Sequence, residues 1–260
     1  LDRVDQLIKR KNIYYHPKRI TNTIYGCRSV QTADAIALLG SEHTKSTYPE
    51  QFREKITLLP VTYSKTVQKN IKKPLGNEFL WFYGFGAVHK GLDLILDVFS
   101  ENQNYKLNIV GDLESEKDFM SIYQHELNDF PNIKYHGFLS PLSNEFKQII
   151  EKCFSFIACS CSEGISTAAI TCLIAGLYPI YSIDNGLTLP ENTGYLLKNC
   201  HHDSILKSIK SVSNYKEEDL KGEIQQIQDF IVQRHSRDNF AKLMKEFIEL
   251  TIQNKSKKCK

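Results

Sequence analysis

Phe79-Leu80-Trp81-Phe82-Tyr83-Gly84-Phe85-Gly86-Ala87-Val88-His89-Lys90-Gly91 is the stretch on which the fold turns. Five apolar residues without polar alternation fit a strand buried on both faces, and Gly84 ends it. Beyond Gly91, the residues from Leu92 to Phe99 read as a helix. A glycine loop between a strand and a helix offers backbone N–H groups and the positive end of the helix dipole to an anion. Lys90 adds a full charge at the helix mouth, so a phosphate or diphosphate fits there. The loop is neither a Walker loop nor a GxGxxG fingerprint, and a plain helix start with a solvated Lys90 and a surface His89 stays open beside it.

Working outward, continuous apolar runs alternate with amphipathic stretches of helical length. Strands are expected at Leu107 to Val110, Ile133 to His136, Phe154 to Ala158 and Tyr178 to Tyr181. Helices are expected at Lys117 to Asn128, Asn144 to Cys153 and Ser166 to Ala175. Repeated strand–helix–strand units wind a parallel sheet, so the fold class is α/β, a Rossmann-like doubly wound sheet. Gly84, Gly86, Gly111, Gly137 and Gly164 fall at or just after predicted strand ends, the edge where such sheets bind ligands. Each of them taken singly also reads as an ordinary turn glycine.

Upstream, Ala33 to Leu39 and Lys55 to Pro60 read as two further strands separated by a short helix after Ser41. About seventy residues are few for a complete second sandwich. Residues 1–73 are therefore read as the remnant of an N-terminal domain with a polar, lysine-rich linker from Tyr63 to Asn77. Residues 74–235 are the Rossmann-like domain, and 236–260 a C-terminal helix with a basic tail. Helices are also expected over His202 to Val212, Glu217 to Gln233 and Asp238 to Ile252. Phe240, Leu243, Met244, Phe247, Ile248 and Thr251 would form one apolar face of the last.

Composition excludes several classes. A chain of 260 residues, 41% hydrophobic and 24% charged, has the material for a packed core. No apolar run approaches the roughly 18 residues a membrane span needs, and the start Leu1-Asp2-Arg3 carries no signal-peptide pattern, so a cytoplasmic chain beginning mid-protein is expected. The net charge of +3 is too small to imply nucleic acid. Lys255, Lys257, Lys258 and Lys260 form a solvated tail that offers at most a weak peripheral hold on the inner membrane face. The seven cysteines lack metal or disulfide-scaffold spacing. Cys159 and Cys161, without a second pair, make a poor zinc site, so no metal is assigned.

A second candidate site is Ser160-Cys161-Ser162-Glu163-Gly164-Ile165-Ser166-Thr167-Ala168-Ala169. The N–H groups of Ile165, Ser166 and Thr167 could hold another face of the same diphosphate, and Glu163 could accept hydrogen bonds from sugar hydroxyls. Glu163 also reads as an acid near the helix dipole and Ser166 as an N-cap, but two anion-receptive helix mouths on one sheet edge favour the site.

These elements, in this order, resemble the C-terminal part of a retaining, family-four-type glycosyltransferase of the GT-B fold. The matching pieces are Ala33-Asp34 leading to Ile56-Thr57-Leu58-Leu59-Pro60, then Phe82 to Gly84 with Lys90-Gly91-Leu92-Asp93-Leu94, then Leu107 to Gly111. Asn132 to Phe138, Ser162-Glu163-Gly164, Ala175 to Ile180 and Gly194 to Leu197 follow. The resemblance implies a nucleotide-diphosphate sugar as donor, a saccharide or lipid-linked acceptor in surface polysaccharide or glycolipid synthesis, and no further cofactor. It implies that Lys90 and Glu163 are the catalytic pair, Lys90 neutralising the departing diphosphate and Glu163 touching the donor sugar. Gly164, Ile165, Ser166 and Thr167 would cradle phosphate, and Gly137, Phe138 and Leu139 would lie against the base. Gly84, Gly86 and His89 complete the donor-binding set.

Three departures stand out. The family's second Glu, eight positions after the first, is Thr171 here, a hydroxyl that can hold one ribose contact but not a charge-assisted pair. The family's Arg at the start of the glycine loop is replaced by Phe85 and Gly86, leaving His89 to substitute in part. Most of an N-terminal acceptor domain is not in the sequence, and the last helix would cross back to what remains of it. A nucleotide-sugar epimerase of the same fold and a non-catalytic nucleotide-sugar-binding module are the alternatives. The order Lys90-Gly91, then Ser162-Glu163-Gly164, favours the transferase.

Overall fold

The computed structural model describes residues 2–16, 28–63 and 76–258. The linker expected over Tyr63 to Asn77 lies almost wholly outside the described residues, as does Lys260. The N-terminal part contains α1 (Asp2–Lys11), α2 (Arg28–Thr32), β1 (Ile36–Leu39), α3 (Glu42–Ser46), α4 (Glu50–Arg53) and β2 (Ile56–Leu59). Then follow β3 (Glu78–Phe82), α5 (Leu92–Glu101), β4 (Lys106–Val110), α6 (Lys117–Ile122), α7 (Gln124–Asp129) and β5 (Ile133–Tyr135). The chain continues with α8 (Asn144–Lys152), β6 (Ser155–Ala158), α9 (Thr167–Ile174), β7 (Tyr178–Tyr181), a 3-10 turn (Ile183–Asn185) and β8 (Tyr195–Leu196). It closes with α10 (His202–Ser213), α11 (Glu217–Arg234) and α12 (Arg237–Lys258).

Six parallel strands form the main sheet in the order β5-β4-β3-β6-β7-β8. The chain enters at β3, steps outward to β5, then returns to the other side of β3 as β6. The strand order therefore reverses between β3 and β6, and the carboxyl ends of the strands at such a reversal are where sheets of this kind bind ligands. Helices α5 and α10 pack together on one side, and α9 and α11 together. The continuous apolar runs are buried as expected of a covered parallel sheet, β6 and β7 throughout. Phe79 meets Phe99 and Phe154 edge-on, at centroid distances of 5.6 and 4.9 Å. Trp81, with no exposed surface, donates its indole N–H to the Lys90 carbonyl at 3.3 Å, tying the strand to the loop it feeds.

A second, two-stranded parallel sheet pairs β1 with β2, from Ile36 opposite Ile56 to Leu39 opposite Leu59. Helix α12 packs on β2, and Lys255 reaches Asp34 at 3.1 Å. His235, at the end of α11, is buried and joins the two parts. Its Nδ1–H donates to Val61 O at 2.8 Å, and its carbonyl accepts from Tyr63 N–H at 3.3 Å. Burial lowers its pKa to about 4, which the Val61 bond only partly offsets.

Several expectations need correcting. The single helix over Lys117 to Asn128 is two, α6 and α7, because Tyr123 at the joint leaves helical geometry with φ −104° and ψ 21°. The last helix runs on to Lys258, and Ile248, placed on its apolar face, is half exposed. Residues 2–16, assigned to the N-terminal remnant, pack instead on the main domain. Leu7 is fully buried there. Arg10 pairs with the buried Asp93 at 2.8 Å and with Asp97 at 2.9 Å, and Lys11 with Asp97 at 2.9 Å and Glu126 at 3.1 Å.

Candidate active site

Two loops meet at the switch point, residues 84–91 leaving β3 and residues 159–166 leaving β6. His89 stitches them together. Its carbonyl accepts from Cys161 N–H at 3.0 Å, and its Nε2 lies 2.6 Å from Ser162 O. A carbonyl only accepts, so Nε2 carries a proton and donates it there, while Nδ1 lies 3.5 Å from the Cys161 sulfur. The ring that sequence reading offered as a partial replacement for the missing arginine thus holds the two loops in register.

The fold brings together Lys90 and Glu163, 73 positions apart in the chain, as an ion pair whose side chains are 7% and 10% exposed. A solvated lysine at a helix start is excluded. The Lys90 ammonium also stands 5.0 Å over the Tyr83 ring. Beneath it, the Tyr83 hydroxyl accepts from Asn185 at 2.8 Å and lies 3.5 Å from Ser160. Burial pushes the Tyr83 pKa up to about 12, so the phenol stays neutral and its ring shows the lysine an uncharged π face.

The glycine loop differs from its expected role. The N–H groups of Gly86 and Ala87, read from sequence as open to phosphate, donate to the Glu116 carboxylate at 2.6 and 3.0 Å. Glu116 is buried, and its charge adds to burial in raising the pKa of the Tyr15 phenol. The loop therefore already holds an anion, supplied by the protein. Gly84 is exposed and nothing stands within 4 Å of where its side chain would be. It is the open point of the loop.

Across the crevice, Ser166 is the N-cap of α9, its hydroxyl accepting from Ala169 N–H at 3.2 Å. The cap reading is thus met. It satisfies one first-turn donor, whereas the first turn of a helix has four without intrahelical partners, so capping and anion binding by Thr167 are compatible. Thr171 points its hydroxyl back to Thr167 O at 3.0 Å. Gly164 is needed for close approach, since a side chain there would collide with Leu39 O. Ile165 is half-buried against the core. Gly137, with φ +74°, accepts from Gly111 N–H at 3.0 Å at the end of β5, next to exposed Phe138 and half-buried Leu139. That segment stands two strands from β3, roughly 10 Å at the usual strand spacing.

The N-terminal part also reaches the site. Thr44 donates to Gly164 O at 3.1 Å, and His43 meets Asp184 at 2.9 Å. Sequence reading missed Tyr83, Glu116, Thr44 and Asn185. Of these, only Asn185 carried a local signal, as the Asn185-Gly186 turn pair. Among the described residues no group of three His, Cys, Asp or Glu is placed to hold a metal ion, and no helix is long and apolar enough to cross a membrane.

The structure resembles solved glycosyltransferases. Anabaena Alr3699/HepE, solved with UDP and glucose, superposes with a TM-score of 0.67 at 13% identity, over 85% of this chain and 64% of that one. Sucrose-phosphate synthase from Thermosynechococcus elongatus gives 0.67 at 14%, over 86% and 60%. A glycosyltransferase from Rickettsia africae gives 0.68 at 12%, over 96% and 79%. The fold is therefore the GT-B type, and the chain spans less than two thirds of the length of the first two. No curated protein sequence matches it. The sequence profile described as glycosyl transferases group 1 matches residues 64–225, more than half of the 260 residues, and the chain belongs to that family.

Proposed function

We propose that this chain is the donor-binding half of a retaining glycosyltransferase, which moves a sugar from a nucleotide-diphosphate donor to a saccharide or lipid-linked acceptor at the cytoplasmic face of a membrane. The observation that carries the donor assignment is the meeting of Lys90 and Glu163 at the switch point, beside the first turn of α9. A cation, a carboxylate and a helix N-terminus in one crevice suit the two ends of a sugar diphosphate, and UDP in the HepE structure supports a uridine donor. Glu163 pairs with Lys90, and donor phosphate would take that place on the lysine. In the reaction, Lys90 and the α9 dipole would stabilise the charge growing on the leaving diphosphate. Gly137, Phe138 and Leu139 would take the base, and Thr171 would stand near the ribose. Residues 28–63 would be the end of the acceptor domain. The sequence provides no case for a cofactor besides the donor.

The test is calorimetry of the chain with UDP, GDP, ADP and their common sugar conjugates, followed by proton NMR of the product anomer in the presence of acceptor. One nucleotide binding selectively, with sugar transferred at retained configuration, is the expected result. No binding by folded protein would remove the donor-site assignment, and release of an epimerised sugar nucleotide would favour the epimerase.

A further inference from the structure

A cavity of about 1050 Å³ lies between α1, the face of α5 that carries Leu94, Asp97 and Glu101, and the segment 197–202 that carries Cys200. It is separate from the donor crevice. Only Ser160 and Cys161 come from the loop that bears Glu163, and Lys90, Glu163 and Thr167 lie outside its walls. Small-molecule sites usually measure roughly 300–1,000 Å³, so this one has room for a chain of rings rather than a single ring.

The wall carboxylates are already held in place. Asp97 is paired with Arg10 and Lys11, both at 2.9 Å, and Glu126 with Lys11 at 3.1 Å. Glu101 stands 3.0 Å from His202 Nε2, and Asp184 meets His43 at 2.9 Å. Fixed in this way, they are oriented acceptors whose charge is answered within the protein. The wall donors, by contrast, are uncommitted. Among the described residues, the side chains of Gln6, Lys198 and His201 have no hydrogen-bond or ion-pair partner. Asn199 accepts from His201 N–H at 3.0 Å through its side-chain carbonyl, and its amide N–H groups bond nothing. Half-buried Phe130, met edge-on by His125 at 5.1 Å, adds an aromatic surface.

With histidines neutral, the four carboxylates are matched by four Lys and Arg side chains, so the cavity has no net charge to attract an ion. Its few apolar side chains do not suit a lipid. Oriented acceptors together with uncommitted donors suit a ligand whose every hydroxyl both gives and takes a hydrogen bond. We propose that this cavity is a second binding site, which takes a stretch of neutral oligosaccharide. The inference does not rest on the donor assignment.

The experiment titrates the whole chain, without nucleotide, with maltotriose, cellotriose and chitotriose, read by isothermal titration and by backbone amide chemical shifts. At least one trisaccharide is expected to bind, roughly tenfold more tightly than its monosaccharide, with shifts at Gln6 and residues 199–201 and none at residues 84–91. Inorganic phosphate and UDP should not displace it. Gln6→Ala combined with His201→Ala removes two exposed side chains that hold nothing in the fold, and should weaken the trisaccharide roughly tenfold. Folded wild type that binds none of the three, displacement by phosphate or UDP, or undiminished affinity in the double variant would each overturn the proposal. A chain that holds a trisaccharide in this cavity and does not bind UDP would support it, and would remove only the donor assignment.

Discussion

Replacing Glu163 by Gln separates two roles that the ion pair with Lys90 joins. In the free chain the Lys90 ammonium is engaged by a carboxylate, and both side chains are almost out of solvent. A bare nucleotide diphosphate must draw Lys90 away from that carboxylate. A charge-assisted contact between lysine and phosphate contributes about 1.5–3 kcal/mol, and part of this is now offset by the broken pair. A neutral amide at 163 releases the lysine without removing it. Glu163→Gln should therefore bind UDP as tightly as wild type or up to roughly tenfold tighter, 1.4 kcal/mol being a factor of ten. If Glu163 holds the donor sugar as proposed, the sugar conjugate should lose the extra affinity that the carboxylate would give through the sugar hydroxyls, about 1 kcal/mol. Lys90→Met should weaken both ligands, by about 1–3 kcal/mol. It also strands Glu163, so the free protein should lose about 1–3 kcal/mol of stability. The double variant should regain part of that loss. Isothermal titration with UDP and its best-binding sugar conjugate reads the affinities, and urea unfolding reads the stability. If Glu163→Gln weakens UDP as much as the conjugate, the division of roles is wrong.

Three further outcomes follow from the packing. His235 has its pKa lowered from 6.5 to about 4, so the unfolded chain binds the proton more readily and its contribution is present above pH 6.5 and lost as pH falls towards 4. Urea unfolding across that window should show a fall of up to about 3 kcal/mol that His235→Phe abolishes. Arg10→Ala leaves the buried Asp93 without its closest partner and should cost about 2 kcal/mol by thermal or urea unfolding, Arg3 supplying the remaining positive field. Glu116→Ala strands the Gly86 and Ala87 N–H groups and should cost about 3 kcal/mol and weaken UDP. Glu116→Gln keeps an oxygen facing those amides, so its milder effect in unfolding and titration would separate lost hydrogen bonds from lost charge.

The sheet was legible because buried parallel strands write themselves as unbroken apolar runs, and Tyr178 to Tyr181 has the bounds read for it. The crevice was legible too, since glycines at strand ends mark the edge where the backbone must come close. Less could be read where a residue's meaning lies in a distant partner. Nothing around Glu116 distinguishes it from any acid before a helix, because the amides it holds are 30 positions upstream. Helix α1 is short, and its charged residues find Asp93, Asp97 and Glu126 only in the folded chain. Tyr83 ends an apolar run and reads as core, yet it is the floor beneath Lys90. The break at Tyr123 escaped the helical pattern because apolar spacing continues across it.

The most direct measurement is a crystal structure of the chain with UDP or a UDP-sugar bound. The account predicts the diphosphate between β3 and β6, within hydrogen-bond distance of the Thr167 N–H and of a Lys90 ammonium freed from Glu163, with Gly86 and Ala87 still bonded to Glu116. A diphosphate seated on Gly86 and Ala87, or in the cavity beside Cys200, with Lys90 still paired to Glu163, would contradict it.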